Sequence, residues 1–193
     1  MENRPPHWSR LFGTNMPIRS EPDLESLFSL FPPSQNAGTF QEVPEDDVPP
    51  PYHGLLVHEH HMTVTVEAHH GRPVDVKVLQ VHKEKDVYAR KILLTLQGTG
   101  KVVQFGIMRV HLKYCSAKVT QEILAERTPL GRILIENNVL RRIEPTAYLL
   151  VTPGPGMMKW FGLKEPRITY GRLALIHCNG SPAVELLEIV APE

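Results

Sequence analysis

Two short glycine-containing turns, each lying between strand-like runs, constrain this chain more than any other feature of its sequence. One turn is QGTGK (97–101) and the other is the dipeptide Asn179-Gly180. The flanking runs are VYARKILLTL (87–96), VVQFGIMRVHL (102–112), RITYGRLALIHC (167–178) and SPAVELLEIVAP (181–192). Glycine and asparagine accept the positive φ angles of short hairpin loops, and β-branched and leucine-rich runs are typical of strands. The chain is therefore predicted to build an antiparallel sheet.

The remaining segments complete an α+β fold. Two further strands are expected at VDVKVLQV (74–81) and AYLLVT (147–152), which gives about six mainly antiparallel strands. Two helices are predicted in mid-sequence, one over 117–127 and one that begins near residue 128. We expect a single domain, a mainly antiparallel sheet with helices, over residues 52–193.

Two proline-rich segments interrupt this pattern. Ten of the 18 prolines fall within residues 1–51, and such a composition buries too little apolar surface to order itself, so this region is predicted to be a largely disordered tail. Inside it, EPDLESLFSLF has apolar residues at helical spacing and predicts a short helix over 22–31. The second segment, 153–166, is irregular and long enough to form a flap over a site.

Composition excludes several classes of function. Lysine plus arginine equals aspartate plus glutamate, at 21 each, so no overall charge favours nucleic acid or an anionic membrane. No run approaches the roughly 18 apolar residues of a membrane-spanning helix, and Cys115 and Cys178 are too few for a disulfide framework. We expect a cytoplasmic protein, a monomer or small homo-oligomer, with no membrane insertion and no nucleic-acid partner.

The stretch TPLGR (128–132) predicts a helix start suited to an anion. The opening NH groups of a helix lack partners inside it, and the aligned peptide dipoles add positive charge there. With Thr128 at the cap and Pro129 at the first position, the free donors are the NH groups of Leu130 and Gly131, and a glycine lets a ligand approach the backbone. A second explanation needs no ligand: Gly131 avoids a clash with a neighbouring strand.

Three motifs, taken in order along the chain, resemble those of a known enzyme family. They are VYARKILL with Arg90 inside a strand, TPLGR at the helix start, and VELLEIVAP with Glu188 in the terminal strand. Together they resemble chorismate lyase, also called 4-hydroxybenzoate synthase. The resemblance extends over about residues 52–192, and it implies a mainly antiparallel sheet that encloses a buried ligand pocket.

The resemblance also implies an activity. Chorismate lyases convert chorismate into 4-hydroxybenzoate and pyruvate without a metal or other cofactor. Arg90 would hold the ring carboxylate, since a planar guanidinium pairs with a carboxylate bidentately, and the NH of Leu130, beside Gly131, would donate to the same group. Glu188 would face the ring hydroxyl and polarise it or shuttle the proton lost from the ring. Arg90 and Glu188 are thus the implied catalytic residues.

Two further substrate-binding residues follow from the resemblance. Chorismate carries two carboxylates, so a second cation is expected, for which Arg132 is the first choice and Arg109 and Arg172 are alternatives. Met62 occupies the position from which the family contributes a pocket methionine near the ring. The segment 153–166 lies within a stretch that is longer here than in familiar bacterial members.

Charged residues inside apolar runs point to the same candidates. Arg90 and Glu188 have apolar neighbours in sequence, so each needs a partner or a ligand when buried. Glu185 and Glu188 differ by three positions, and on a regular strand they point to opposite faces. One is expected to face inward and the other outward.

The densest cluster of histidines is not predicted to be a metal site. Six of the ten histidines lie within residues 53–70, but Met62 stands where the HExxH pattern requires its second histidine after His58. A polar, partly exposed helix end explains the cluster, and no metal is expected.

Two alternatives to the lyase remain open. Effector domains of transcription regulators share the expected fold and bind small carboxylates without reacting, although residues 1–50 contain no helix-turn-helix pattern. A third hypothesis is a related pocket that binds chorismate or 4-hydroxybenzoate, either to carry it or to regulate its use. Turnover of chorismate distinguishes the enzyme from both.

Overall fold

The computed structural model describes residues 21–32 and 37–193, so the first part of the predicted tail lies outside the described residues. The strands are β1 (Gly38–Val43), β2 (Val74–Glu84), β3 (Val87–Leu96), β4 (Val102–His111), β5 (Arg141–Pro153), β6 (Thr169–Cys178) and β7 (Ser181–Val190). The helices are α1 (Leu24–Ser29), α2 (Tyr52–Leu56), α3 (Met62–His70), α4 (Ala117–Leu124), α5 (Leu130–Glu136) and α6 (Pro155–Phe161). None of the helices in these ranges is long and apolar enough to cross a bilayer.

All strands of the described residues join one antiparallel sheet, in the order β1-β5-β6-β7-β4-β3-β2. The sheet has two halves, β2-β3-β4 and β1-β5-β6, which meet only through β7. The two predicted hairpins are present as β3–β4 and β6–β7. In the second hairpin both turn residues have positive φ, 51° at Asn179 and 82° at Gly180, as a tight two-residue turn requires. The α+β prediction is confirmed.

Both faces of the sheet are covered. One face, which we call the cavity face, packs against α2 to α5, and the opposite face packs against α1 and α6. Because side chains alternate along a strand, β7 sends Glu188 to the cavity face and Leu187 to the opposite face. Glu185 shares the face of Leu187 and is buried against Arg109 and His111. The two glutamates therefore lie on opposite faces, but neither is exposed, because no face of β7 is left open.

The N-terminal region contributes more structure than its proline content predicts. Helix α1 lies within the expected range 22–31, is capped by Asp23, and buries Leu27 on the opposite face of the sheet. Strand β1 lies inside the stretch expected to be a tail, yet it pairs with β5 from Gly38 to Val43. The edge of the sheet supplies the hydrogen bonds of β1, so its pairing depends on a partner more than a hundred residues away rather than on local composition.

The segment 153–166 does not form a flap over the cavity. It folds as α6 on the opposite face, where Met157 is fully buried and Trp160 stacks on Phe105 with ring centroids 5.0 Å apart. Its aromatic and methionine side chains complete an apolar layer, which is why an apparently irregular sequence is ordered there. The expectation of a flap is wrong.

Candidate functional site

A cavity of about 50 Å³ lies between the sheet and the first turns of α3 and α5. Five of the six predicted site residues line it: Met62, Arg90, Leu130, Gly131 and Glu188. By the same measure a single water needs about 10–15 Å³, so the cavity has room for only a few water molecules. An aromatic acid enters only if lining side chains move, and the flexible thioethers of Met62 and Met108 border the cavity.

The register of the sheet brings Arg90 and Glu188 to one surface. Arg90 on β3 pairs with Met108 on β4, while Gly106, two residues earlier, pairs with Glu188 on β7. Strand spacing and rise put the two Cα atoms roughly 12 Å apart, on one face. Gly106 lies between them and adds no side chain to the floor of the cavity, where the side chain of Ile92 comes within 3.5 Å of the position that a Cβ would take.

Arg90 is a buried cation with unused donors. Its side chain is 1% exposed, and its Nη2 donates to the carbonyl of Thr128 at 3.1 Å, which ties the guanidinium to the segment that precedes α5. Within the part of the chain that the structure describes, Nε and Nη1 make no hydrogen bond of good geometry, although the hydroxyl of Tyr88, which is unpaired as well, lies near enough to interact with the guanidinium. Burial lowers the pKa of Arg90, and the nearby Tyr88 and Glu126 oppose that shift.

The start of α5 lies one residue later than predicted, since Pro129 rather than Thr128 is the cap, and the structure assigns Gly131 a packing role. The helix begins at Leu130, with Pro129 as its cap, so the NH groups of Leu130 and Gly131 precede the first bond inside the helix. A Cβ built on Gly131 would lie 2.9 Å from His61 Cβ and 3.0 Å from Thr63 Oγ1. Glycine is therefore required by the start of α3 rather than by a strand, and this close packing positions the wall of the cavity.

Glu188 is held by a second buried arginine. Its Oε2 accepts a hydrogen bond from Arg172 Nε at 2.8 Å, and both residues are buried. The other nitrogens of Arg172 donate to the carbonyls of Leu56, His58 and His60 at 2.8 to 3.1 Å. Arg172 therefore neutralises the charge of Glu188, and its other hydrogen bonds hold the segment between α2 and α3 in place.

None of the three arginines proposed as the second cation lines the cavity. Arg132 lies two positions after Leu130, about 200° around the helix, and pairs with Glu67 on α3. Arg109 pairs with Glu185 on the opposite face of the sheet, and its Nη2 also contacts Ser26 of α1. Arg172 is engaged by Glu188. Arg132 is thus the one predicted substrate-binding residue that the structure separates from the others.

Three polar residues of the cavity were not predicted. His61 and Thr63 border it at the start of α3, and Gln104 borders it from β4. His61 Nε2 accepts from Arg141 Nε at 2.6 Å, and burial, together with Arg141 and Arg172, lowers the pKa of His61 to about 4. Gln104 stands within the apolar run VVQFGI, the same signal that singles out Arg90 and Glu188, and it could have been found in that way.

A separate histidine cluster lies at the surface, outside the cavity. His69 and His70, at the end of α3, direct their Nε2 atoms to within 3.7 and 3.8 Å of one oxygen of Glu193. The three possible ligand atoms lie within 4.8 Å of one another. Partial exposure of His69 and Glu193 agrees with the expected polar helix end.

Comparisons with known proteins identify the fold. No protein-family model matches the sequence, and no curated protein matches it. Among solved structures, the chain is similar to PhnF from Mycobacterium smegmatis, with a TM-score of 0.50 and 11% identity, over 70% of this chain and 65% of PhnF. It therefore spans about two thirds of that protein's length.

Two further solved structures are similar at lower scores. One is the effector domain of PhnF from Mycobacterium smegmatis, with a TM-score of 0.48 and 9% identity, over 68% of this chain and 88% of that domain. The other is a GntR-family transcriptional regulator from Enterococcus faecalis V583, with a TM-score of 0.43 and 8% identity, over 60% and 92% of the two chains. The seven-stranded antiparallel sheet and its helices have the chorismate lyase-like fold found in the ligand-binding domains of such regulators.

Proposed function

We propose that the chain binds a small monocarboxylic acid with an apolar body, without converting it, in the cavity between Arg90 and Glu188. The observation that carries this proposal is the pair of unused donors on Arg90, a fully buried guanidinium at a cavity lined mainly by apolar side chains. A buried donor without a partner costs free energy that a carboxylate would recover, with the bidentate geometry that a guanidinium favours.

The charges around the cavity favour one carboxylate over two. Arg90 is the one arginine or lysine among the lining residues that the structure describes, and the charge of Glu188 is already balanced by Arg172. A dianion would bring a second carboxylate to a buried surface with no free cation, and desolvating an unpaired charge is strongly unfavourable. The similarity of fold to PhnF, a protein with an effector domain, agrees with ligand binding, and we carry that role over as part of the proposal.

Chorismate lyase activity is the second candidate. It is favoured by the convergence of Arg90, Leu130 and Glu188, which come from three motifs far apart in sequence, on one cavity. In that reaction Arg90 would hold the ring carboxylate and Glu188 would contact the ring hydroxyl. The ion pair with Arg172 would have to leave one oxygen of Glu188 free for that contact.

One set of measurements separates the two candidates. Isothermal titration of the purified chain with 4-hydroxybenzoate and with benzoate is expected to show saturable binding, and incubation with chorismate is expected to release no pyruvate. Release of pyruvate together with 4-hydroxybenzoate would reject the binding-only role in favour of the lyase. Absence of both binding and turnover would reject both candidates.

The Arg90→Met variant tests the carboxylate contact. We expect affinity for either acid to fall by at least about tenfold, because a charge-assisted bond contributes about 1.5–3 kcal/mol. The matched control is Arg142→Met, since Arg142 is a mostly exposed arginine on β5 that does not line the cavity. Circular dichroism and thermal unfolding check that both variants fold. Equal affinities in wild type and Arg90→Met would contradict the site.

A further inference from the structure

Gln104 has the same kind of unmet hydrogen-bonding capacity as Arg90, at another part of the same cavity. Its side chain is 3% exposed and lines the cavity, and its Oε1 has no hydrogen-bond partner among the residues that the structure describes. Native structures rarely leave a buried side-chain oxygen unpaired, so such an atom at a cavity wall indicates a contact with cavity contents.

The sheet separates this atom from the carboxylate-binding end. Gln104 pairs with Leu94 on β3, whereas Arg90 pairs with Met108, four residues further along β4. Four residues of a strand span about 13 Å between Cα atoms, and Gln104, Gly106 and Met108 point to one face. The cavity thus has a cation towards one end, a neutral amide towards the other, and no side chain from Gly106 between them.

We propose that Gln104 is a specificity-determining residue that binds a hydroxyl group on the ligand, at the end remote from its carboxylate. This inference rests on the proposed function and names the class of ligand more closely: a hydroxylated monocarboxylic acid. A hydroxyl can donate to Oε1 and also accept from Nε2, so it fits either orientation of the amide. The analogue without the hydroxyl leaves Oε1 unpaired when it displaces the cavity water, and it binds more weakly for that reason.

The test compares two ligands that differ only in the hydroxyl. Titration calorimetry with 4-hydroxybenzoate and benzoate gives the preference for the hydroxyl in wild type, which we expect to be about tenfold. In Gln104→Leu that preference is expected to fall below about twofold, because 4-hydroxybenzoate loses its partner while benzoate no longer leaves Oε1 unpaired and should bind at least as tightly as to wild type. The control is Gln80→Leu, at an exposed glutamine of β2, which is expected to keep the wild-type preference. An unchanged preference in Gln104→Leu would overturn the proposal.

Two outcomes distinguish a failure of this inference from a failure of the proposed function. If both acids bind equally to wild type and Arg90→Met abolishes binding, the carboxylate site stands and the role of Gln104 fails. If neither acid binds, the proposed function fails and the specificity role fails with it. Thermal unfolding without ligand adds a check: Gln104→Leu is expected to melt at or above the wild-type temperature. A fall of more than about 4 °C would show that the amide is needed within the fold, and would also overturn the proposal.

Discussion

At the scale of single residues, the site depends on where small side chains allow close approach. Gly106 leaves room for the side chain of Ile92 at the floor of the cavity, and Gly131 lets the first turn of α5 pack against His61 and Thr63. Because α5 and the start of α3 form one wall of the cavity, the position of Leu130 depends on that contact. A change at Gly131 therefore tests the geometry of the wall without altering any polar group.

We predict that Gly131→Ala destabilises the fold by about 1–3 kcal/mol, because the added methyl group overlaps His61 Cβ and must displace it. Gly54→Ala is the matched control, since Gly54 is also helical and a Cβ there meets nothing within 4 Å. The Gly54→Ala control is expected to raise the free energy of unfolding by about 0.5–1 kcal/mol, because alanine has the higher helix propensity. Urea unfolding of both variants measures the difference. Equal stabilities would mean that the wall adjusts freely.

At the scale of elements, the segment from α2 to α3 contains two histidines that stay neutral in the folded state. Burial and Arg172 lower the pKa of His58 to about 4, and burial with Arg141 and Arg172 lowers that of His61 to about 4. An unfolded histidine has a pKa near 6.5, so the unfolded chain binds more protons between these values. The stability that these two neutral histidines contribute is therefore complete above about pH 6.5, and it declines as the pH falls towards 4.

The variant His61→Gln is predicted to weaken this acid sensitivity. His61 is 7% exposed, and its shift corresponds to as much as about 3 kcal/mol of stability that is lost between pH 6.5 and 4. The variant should lose less stability over that range than wild type, as measured by urea unfolding at several pH values. His82→Gln, at a more exposed histidine on β2, should behave as wild type. Identical pH profiles in all three proteins would contradict the assignment.

Helix α1 is predicted to be part of the folded unit. Leu27 is fully buried on the opposite face of the sheet, so Leu27→Ala should cost about 2–5 kcal/mol. Leu140→Ala, at a leucine that is 75% exposed, should cost less than about 0.5 kcal/mol. Thermal unfolding of both variants compares them. A negligible effect of Leu27→Ala would show that α1 detaches without cost.

Most elements could be predicted because their signals are local. The turns at 97–101 and Asn179-Gly180 act through the φ preferences of their own residues, and strand alternation puts Glu185 and Glu188 on opposite faces. Strand β1 could not be predicted in this way, since it depends on the free edge of β5. The packing of residues 153–166 on the opposite face could not be predicted either, because it depends on tertiary contacts rather than on the local sequence.

In the candidate site, too, local signals could be predicted and tertiary contacts could not. The polar interruptions of apolar runs identify Arg90 and Glu188, and they would have identified Gln104. Which cations are free could not be read from the sequence, because Arg132 and Arg172 find their partners on elements distant in the chain. The preference that we propose for a monocarboxylate over a dianion rests on those partners, so it could be argued only from the fold.

At the scale of the whole molecule, ligand binding should stabilise the native state. A ligand at a hundred times its dissociation constant adds about 2.7 kcal/mol to the free energy of unfolding, which corresponds to a rise of about 5–10 °C in Tm for a domain of this size. We predict such a rise with 4-hydroxybenzoate, dependent on its concentration, in a thermal shift assay. At the same ligand concentration the Arg90→Met variant, with an affinity at least about tenfold lower, should show about half of that rise or less. A concentration-independent melting temperature in wild type would contradict ligand binding to the folded state.

The place of β7 in the sheet has a consequence for biosynthesis. The strand that joins the two halves is the last of the seven described strands in chain order, so β4 and β6 present unpaired edges until residues 181–190 have been made. Such edges recruit other chains, and pairing between distant segments is slow. A nascent chain thus passes through an interval of exposure to aggregation that ends only once β7 has been made, and a premature stop before Ser181 would leave that interval without an end.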